Sequence, residues 1–381
     1  MSARVQTHDI YSQATLSTVM PSALAALGAP DEPNVLELPS ATRIVVLLVD
    51  GLGWNLLREH EADAPFLSGL TGRPIRAGFP TTTATSIASL ATGLPSGEHG
   101  ITGYQSYVGE VRGVLNWLSW RRAGDRRDEV ERLVPERTQP SETVFERAAA
   151  AGVTTTCVVP AKFDGTGLTR AVLRGAAFTG SITHGDLVAH TAATATSADR
   201  TLTYCYISEL DTIGHVYGPG TAPWRHQLRL VDLLVRELAD ALGPAVRLYV
   251  TADHGMVTVP EEDKVDADTA AELTKGVRAL AGEPRCRHVH TRPGDTDAVA
   301  ERWRSVFGDQ MWIGTRAEAV AAGLFGSRVT PEASGRIGDV VAVACGRTAA
   351  VRRKAESRLS ALPGHHGGLT DDELLIPLLH T

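Results

Sequence analysis

A continuous apolar run from Arg43 to Val49 (RIVVLLV), ending at Asp50-Gly51-Leu52-Gly53, constrains this chain more than any other feature. β-Branched and leucine side chains without polar alternation suit a strand covered on both faces, the condition found in a parallel sheet. Open α/β sheets collect their ligands at the carboxyl ends of strands. A carboxylate delivered there, with permissive glycines behind it, is therefore a site candidate. The plain alternative is a turn aspartate.

Similar runs lie at Thr154 to Val159, Thr203 to Ile207 and Arg247 to Thr251, separated by helical periodicity such as Arg225 to Leu242. That alternation predicts an α/β fold with a mostly parallel sheet and helices on both faces. Residues 266–338 read differently, as charged helical pieces among short strands, and are expected to form a small inserted subdomain. Residues 101–142 are rich in Arg and Glu, carry Trp117 and Trp120, and are expected to cap a site.

Composition removes several function classes. With 43% hydrophobic and 21% charged residues the chain is an ordinary globular one, and a net charge of -7 supplies no basic stripe for a nucleic-acid polymer. The four cysteines (Cys157, Cys205, Cys286, Cys345) have no paired spacing, which suits reduced thiols and a cytoplasmic setting. Met1 to Leu24 lacks the pattern of a secretory signal, and no apolar run is long enough for a membrane span, so no membrane partner is expected. Nothing in the sequence speaks to oligomeric state.

Four segments carry candidate chemistry. Phe79 to Gly100 (FPTTTATSIASLATGLPSGEHG) holds five threonines and two serines ahead of a glycine turn. Such a cluster can simply cap a helix, and a helix N-terminus is also where amides and the dipole favour a phosphate. In YCYISELDTIGH, Asp211 and His215 stand four residues apart, a spacing that puts an oxygen and an imidazole ligand on one helical face. The strand-like LYVTADHG stops at Asp253, His254 and Gly255, where a turn lets both side chains reach one site. GHHGGLTDDELL places His365 and His366 before a glycine pair. Each segment alone has a structural explanation.

Taken in order, these segments resemble the alkaline phosphatase superfamily, and within it the nucleotide pyrophosphatase/phosphodiesterase-like branch. The resemblance rests on VDGLG (Val49 to Gly53), PTTT (Pro80 to Thr83) followed by TGLPSGEHGI, ELDTIGH (Glu209 to His215), TADHGM (Thr251 to Met256) and HGG (His366 to Gly368). It covers most of the chain and implies one catalytic domain over 1–381, an alkaline phosphatase-like three-layer sandwich. It also implies two divalent cations, one on Asp211, His215 and His366, the other on Asp50, Asp253, His254 and the Thr83 oxygen. Thr83, aligned by counting back from Thr92-Gly93, becomes the nucleophile, and His366 is preferred to His365 because it directly precedes the glycine pair. Nitrogen and oxygen donors suit zinc, with manganese or iron also accommodated.

On that assignment two divalent cations are balanced by Asp50, Asp211, Asp253 and a deprotonated threonine, a near-neutral site ready for an anionic phosphoryl group. The resemblance implies hydrolysis of phosphodiester or pyrophosphate bonds in a small phosphate ester or nucleotide, through a covalent threonine intermediate. Where the phosphodiesterases carry a lysine and a phosphoryl-contacting asparagine, this chain has Thr82 and Ser86. No arginine follows the nucleophile to pair with a doubly charged monoester, which favours a singly charged diester. Ser86, Tyr104, Asn116, Trp117 and Trp120 are candidates for gripping substrate, the aromatic ones by stacking. The other readings are a carbon-phosphorus hydrolase of the phosphonoacetate hydrolase type, expected to show a basic cluster beside the site, and a metal-binding protein that has lost catalysis.

Overall fold

The computed structural model of the protein describes residues 10–11 and 14–381, so the reading of Met1 to Leu24 lies partly outside the described residues. A seven-stranded sheet forms the centre, in the order Thr71–Arg76, Leu375–His380, Arg247–Thr251, Arg43–Val49, Thr201–Ile207, Thr154–Pro160 and Ala177–Ser181. The five strands from Arg247–Thr251 onward pair in parallel, and Leu375–His380 runs against its neighbours. Strand Arg43–Val49 sits in the middle with every residue after Arg43 buried, and all of Thr201–Ile207 is buried. Their unbroken apolar character follows from having protein on both faces.

The helices fall into two groups that pack among themselves. Val19–Ala26, Thr83–Thr92 and Val144–Ala150 form one; Pro65–Gly69, His184–Ala195 and Ala222–Leu242 form the other. The long helix turns Trp224, Leu228, Val231, Val235, Leu238 and Leu242 inward, a three-to-four-residue stripe facing the core. This is the expected three-layer α/β sandwich. Among the described residues, no helix is long and apolar enough to cross a membrane.

A second sheet, ordered Val277–Glu283, Cys286–Thr291, Val340–Ala344 and Met311–Thr315, carries its own core with Val299, Trp303 and Phe307 from the helix Thr296–Phe307. It extends past the expected span of 266–338, because the fully buried strand Val340–Ala344 lies between two of its members and Lys264–Asp266 pairs with Ala349–Val351. A buried apolar strand reads alike in either sheet. The segment expected to cap the site forms a three-stranded meander, Gln105–Val108, Gly113–Asn116 and Arg121–Arg122, whose first strand packs near Val277–Glu283.

One buried ion pair bolts the insertion to the central domain. Arg285 donates to both carboxylate oxygens of Glu373 at 2.6 and 2.7 Å and to the carbonyls of Thr348 and Gly346, with both charged side chains fully buried. The Glu373 carboxylate in turn accepts from the Gly368 amide at 2.8 Å, two residues from His366. Removing one partner strands a buried charge. The Arg285→Ala variant is therefore expected to lose about 3–5 kcal/mol of stability in denaturant unfolding; a loss below about 1 kcal/mol would show that solvent or a rearrangement compensates the carboxylate.

Candidate active site

Three neighbouring strands deliver the acidic groups. Asp50 follows Arg43–Val49, Asp253 follows Arg247–Thr251, and Asp211 lies in the helix Glu209–Tyr217 that follows Thr201–Ile207. This is the crevice at the carboxyl ends of a parallel sheet. Gly51 makes the approach possible: at its φ of 75° a Cβ would stand 3.0 Å from both Cα and Cβ of Asp211.

Thr83 is the first residue of the helix Thr83–Thr92, after Thr82 in extended conformation. Its hydroxyl lies 3.2 Å from His254 Nε2. The same nitrogen is 3.5 Å from an Asp50 oxygen and 3.3 Å from Asp253 Oδ2. His366 Nε2 stands 3.2 Å from His215 Nε2, and Asp211 Oδ1 lies 3.5 Å from the His215 nitrogen and 4.0 Å from the His366 nitrogen. The His254 and His366 rings stack with centroids 3.7 Å apart, joining the two clusters.

All three histidines are oriented by the main chain. His254 Nδ1 is 2.9 Å from the Gly255 carbonyl, His366 Nδ1 is 2.8 Å from that of Thr81, and His215 Nδ1 is 2.8 Å from that of Gly364. A carbonyl only accepts, so each Nδ1 carries the proton and each Nε2 turns a lone pair inward. Lone pairs from His215 and His366 at 3.2 Å cannot hydrogen-bond each other.

The acids show the same deficit. Asp50 Oδ1, Asp211 Oδ1 and Asp253 Oδ2 are buried without a hydrogen-bond partner, although two of the companion oxygens are used: Asp50 Oδ2 accepts from Tyr206, and Asp253 Oδ1 from the amides of Gly51 and His254. Burial pushes the Asp50 carboxyl well above the usual carboxylate range and the charges of Asp253 and Asp211 push it further, while the Tyr206 hydrogen bond opposes them. Burial also raises Asp211 and holds His366 well below the usual imidazole range, the latter assisted by His254 and His215. Donor atoms of Asp50, Asp253 and His254 lie within 4.8 Å of one another, as do those of Asp211, His254 and His366. Inward lone pairs and orphaned buried oxygens are the donor set that divalent cations satisfy.

Two cavities open on either side of Thr83, sharing Thr83, Asp211 and the half-exposed Leu118. One, of about 260 Å³, is walled by Ile87, Phe163, Leu168, Val172 and Leu173. The other, of about 530 Å³, carries more charged and titratable groups, with Tyr104, Gln105, Glu283, Glu356, Arg358 and His365.

The structure thus gathers all seven residues assigned by resemblance as ligands or nucleophile. Of the substrate candidates, Tyr104 lines the larger cavity, and Asn116, close to its hydroxyl, does not line it. Ser86 is buried one turn along the helix and lines neither cavity. Trp120 is corrected: fully buried, it donates its indole N–H to the Leu133 carbonyl at 2.8 Å and packs edge-on against Trp117, whose N–H goes to Ser106. Both indoles are core, because an N–H satisfied by the surrounding chain leaves the whole ring free to exclude water. His365 lies beside its neighbour in the larger cavity and is not in either donor group. Two residues of the site escape sequence reading. Tyr206 is signalled only by the spacing in Tyr204-Cys205-Tyr206, which puts both phenols on one strand face; Glu283 has no signal, since it reaches the site from the inserted sheet.

A hydroxyl at a helix N-terminus, set among converging carboxylates and imidazoles at the carboxyl ends of the central strands of a mostly parallel sheet, fits an alkaline phosphatase-like fold. The chain belongs to the type I phosphodiesterase / nucleotide pyrophosphatase family, whose profile matches residues 44–369. No curated protein sequence matches it. Among solved structures it is similar to murine ectonucleotide pyrophosphatase / phosphodiesterase 5 (TM-score 0.68, 19% identity, covering 88% of this chain and 87% of that one). The human protein of the same name is similar at TM-score 0.67 and 18% identity, covering 89% of this chain and 87% of that one. An inactive form of the murine protein in complex with AMP matches at TM-score 0.68 and 18% identity, covering 88% of this chain and 87% of that one. At these identities the likeness establishes the fold.

Proposed function

We propose that the protein hydrolyses phosphodiester or pyrophosphate bonds of small phosphate esters by a two-step displacement with Thr83 as nucleophile. The observation that carries this reading is the convergence on Thr83 of three inward imidazole lone pairs and three unpartnered buried carboxylate oxygens. Asp50, Asp253 and His254 would hold one divalent cation beside the Thr83 oxygen and Asp211, His215 and His366 a second, zinc being the best match to the donors. Such cations, when bound, lower the pKa of the attacking hydroxyl and stabilise the leaving oxygen.

Thr83 Oγ attacks phosphorus in line, the ester or anhydride bond to the leaving group breaks, and the leaving group departs with a proton. Water then cleaves the phosphothreonine and restores the hydroxyl. The first-turn amides of Thr83–Thr92 and its dipole favour the anionic phosphoryl group. Charge in the cavities favours a singly charged diester: their lining cations are Lys162 on one side and Arg358 on the other, set against Glu283 and Glu356. The family match, and the AMP bound to an inactive relative, support a nucleotide-sized phosphate ester as substrate. That same sparse distribution of cations disfavours the carbon-phosphorus reading, which needs a basic cluster for a second carboxylate.

A rate comparison on metal-loaded protein tests this. Bis(p-nitrophenyl) phosphate is expected to turn over at least roughly tenfold faster than p-nitrophenyl phosphate, and phosphonoacetate to be spared. Faster monoester hydrolysis would refute the charge argument, and release of phosphate from phosphonoacetate would establish the carbon-phosphorus reading instead.

A further inference from the structure

His254 and His366 stand in different ligand sets, yet their stacked rings join the two clusters. Each is aimed through a carbonyl, that of Gly255 for one and of Thr81 for the other, so whatever holds those two peptide units sets the spacing between the clusters. Glu373 reaches both. Its main-chain carbonyl accepts from the Gly255 amide at 2.9 Å, directly beside His254. Its carboxylate accepts from the Gly368 amide at 2.8 Å, and the Gly368 carbonyl in turn accepts from the Thr81 hydroxyl at 3.1 Å. That hydroxyl also accepts from the Gly367 amide at 3.0 Å, which closes a ring of hydrogen bonds around His366.

The glycines are what allow this approach. A Cβ at Gly255 would strike the Asp372 carbonyl, and one at Gly368 would stand 2.7 Å from both Glu373 Oε2 and the Ala344 carbonyl. Arg285, the charge partner of Glu373, lies in the turn between Val277–Glu283 and Cys286–Thr291, and Ala344 ends Val340–Ala344 in the same inserted sheet, where its carbonyl accepts from the Leu369 amide at 2.9 Å. The insertion therefore grips the His366 loop at two points. Fastening one domain to the other accounts for the contacts with Arg285. It does not account for bonds to the main chain beside both histidines.

We propose that Glu373 is a positioning residue: together with Arg285 it fixes His254 and His366 relative to each other, so that the inserted sheet sets the spacing at which two divalent cations are held. This rests on the cation assignment in the reading above. Glu373 acts through Gly255, Gly368 and Thr81. Because one strut braces a histidine of each ligand set, its loss weakens both cation sites together.

The test measures zinc binding to metal-free protein by calorimetry, with the thermal melt of each variant recorded separately. Arg285→Met combined with Glu373→Gln replaces the charges by a neutral pair that keeps an acceptor oxygen for the Gly368 amide, a kind of replacement that buried ion pairs tolerate. It is expected to melt cooperatively and to bind zinc within roughly threefold of the parent affinity. Arg285→Met combined with Glu373→Leu keeps the volume but removes the acceptor, and is expected to weaken both zinc equivalents by roughly tenfold or more, the scale seen when metal ligands lose an outer partner. Thr81→Val breaks the same ring at Gly367 and Gly368 without touching the ion pair, and should weaken the zinc held by His366 by a similar factor; it decides the matter if the leucine variant does not fold. Zinc affinity unmoved in the folded leucine or valine variant, or lost equally in the glutamine variant, overturns this inference alone. A parent protein that binds no zinc overturns the cation assignment together with it.

Discussion

Thr83→Ala protein is expected to lose diester turnover by at least roughly a thousandfold while keeping its metal, because the attacking atom is gone and the donors are not. The Thr83 hydroxyl meets His254 Nε2 at 3.2 Å, but the imidazole is held independently, through Nδ1 and the Gly255 carbonyl. Removing the hydroxyl therefore leaves the ligand cage in place. Metal content measured by elemental analysis should match that of the parent protein, and a rapid-quench experiment with a radiolabelled diester should find a phosphorylated threonine only in the parent. Unchanged turnover would remove Thr83 from the chemistry. Parent protein that binds metal fully yet hydrolyses no phosphate ester would establish instead the reading of a metal-binding protein without catalysis.

The second large effect concerns metal and stability together. Asp50, Asp211 and Asp253 crowd orphaned oxygens into a buried crevice, where the Asp253 charge opposes ionisation of Asp50 and Asp211 and the Asp211 charge opposes that of Asp50. Chelation of the metals is expected to abolish turnover and to lower the thermal midpoint by several degrees, since a ligand present at about a thousandfold over its dissociation constant contributes roughly 4 kcal/mol. Adding zinc back should restore both. Asp253→Asn reverses the sign. The amide oxygen can still accept from the Gly51 and His254 amides, now at 3.1 and 3.0 Å, while the buried charge disappears. In the absence of metal this variant should be at least as stable as the parent, and added zinc should raise its midpoint far less. A chelator that leaves the parent midpoint untouched would dispose of this account. Stability surrendered for an ion-ready pocket is the usual exchange at a functional site.

How much of this was open to inspection in the amino-acid sequence depended on the range of the interaction. Arg43–Val49, Thr201–Ile207 and Arg247–Thr251 were legible because burial on both faces imposes unbroken apolar composition within a few residues. The positions of Thr83, Asp50 and the other residues that gather beside them were legible through short motifs, in which glycines such as Gly51 mark where main chain must come close. The limits of the insertion were not, because pairing of Lys264–Asp266 with Ala349–Val351 spans more than eighty residues and has no local mark. Trp117 and Trp120 illustrate the opposite error. An aromatic beside a site stacks on ligand or fills core, and composition is the same in both cases; only the acceptors found by their N–H groups, Ser106 and Leu133, decide it. Arg285 and Glu373 escaped for a similar reason, since their partnership joins residues 88 positions apart.

The carbonyl locks on His215, His254 and His366 bear on how such a protein diverges. Because these anchors come from the peptide units of Gly364, Gly255 and Thr81, any substitution that preserves the local path of the polypeptide leaves the imidazoles aimed as before. Surrounding side chains are then at liberty to be exchanged, and new specificities can be tried on the cavity walls without disturbing the reacting centre. A descendant of this chain could change what it digests many times over and inherit the same cage each time.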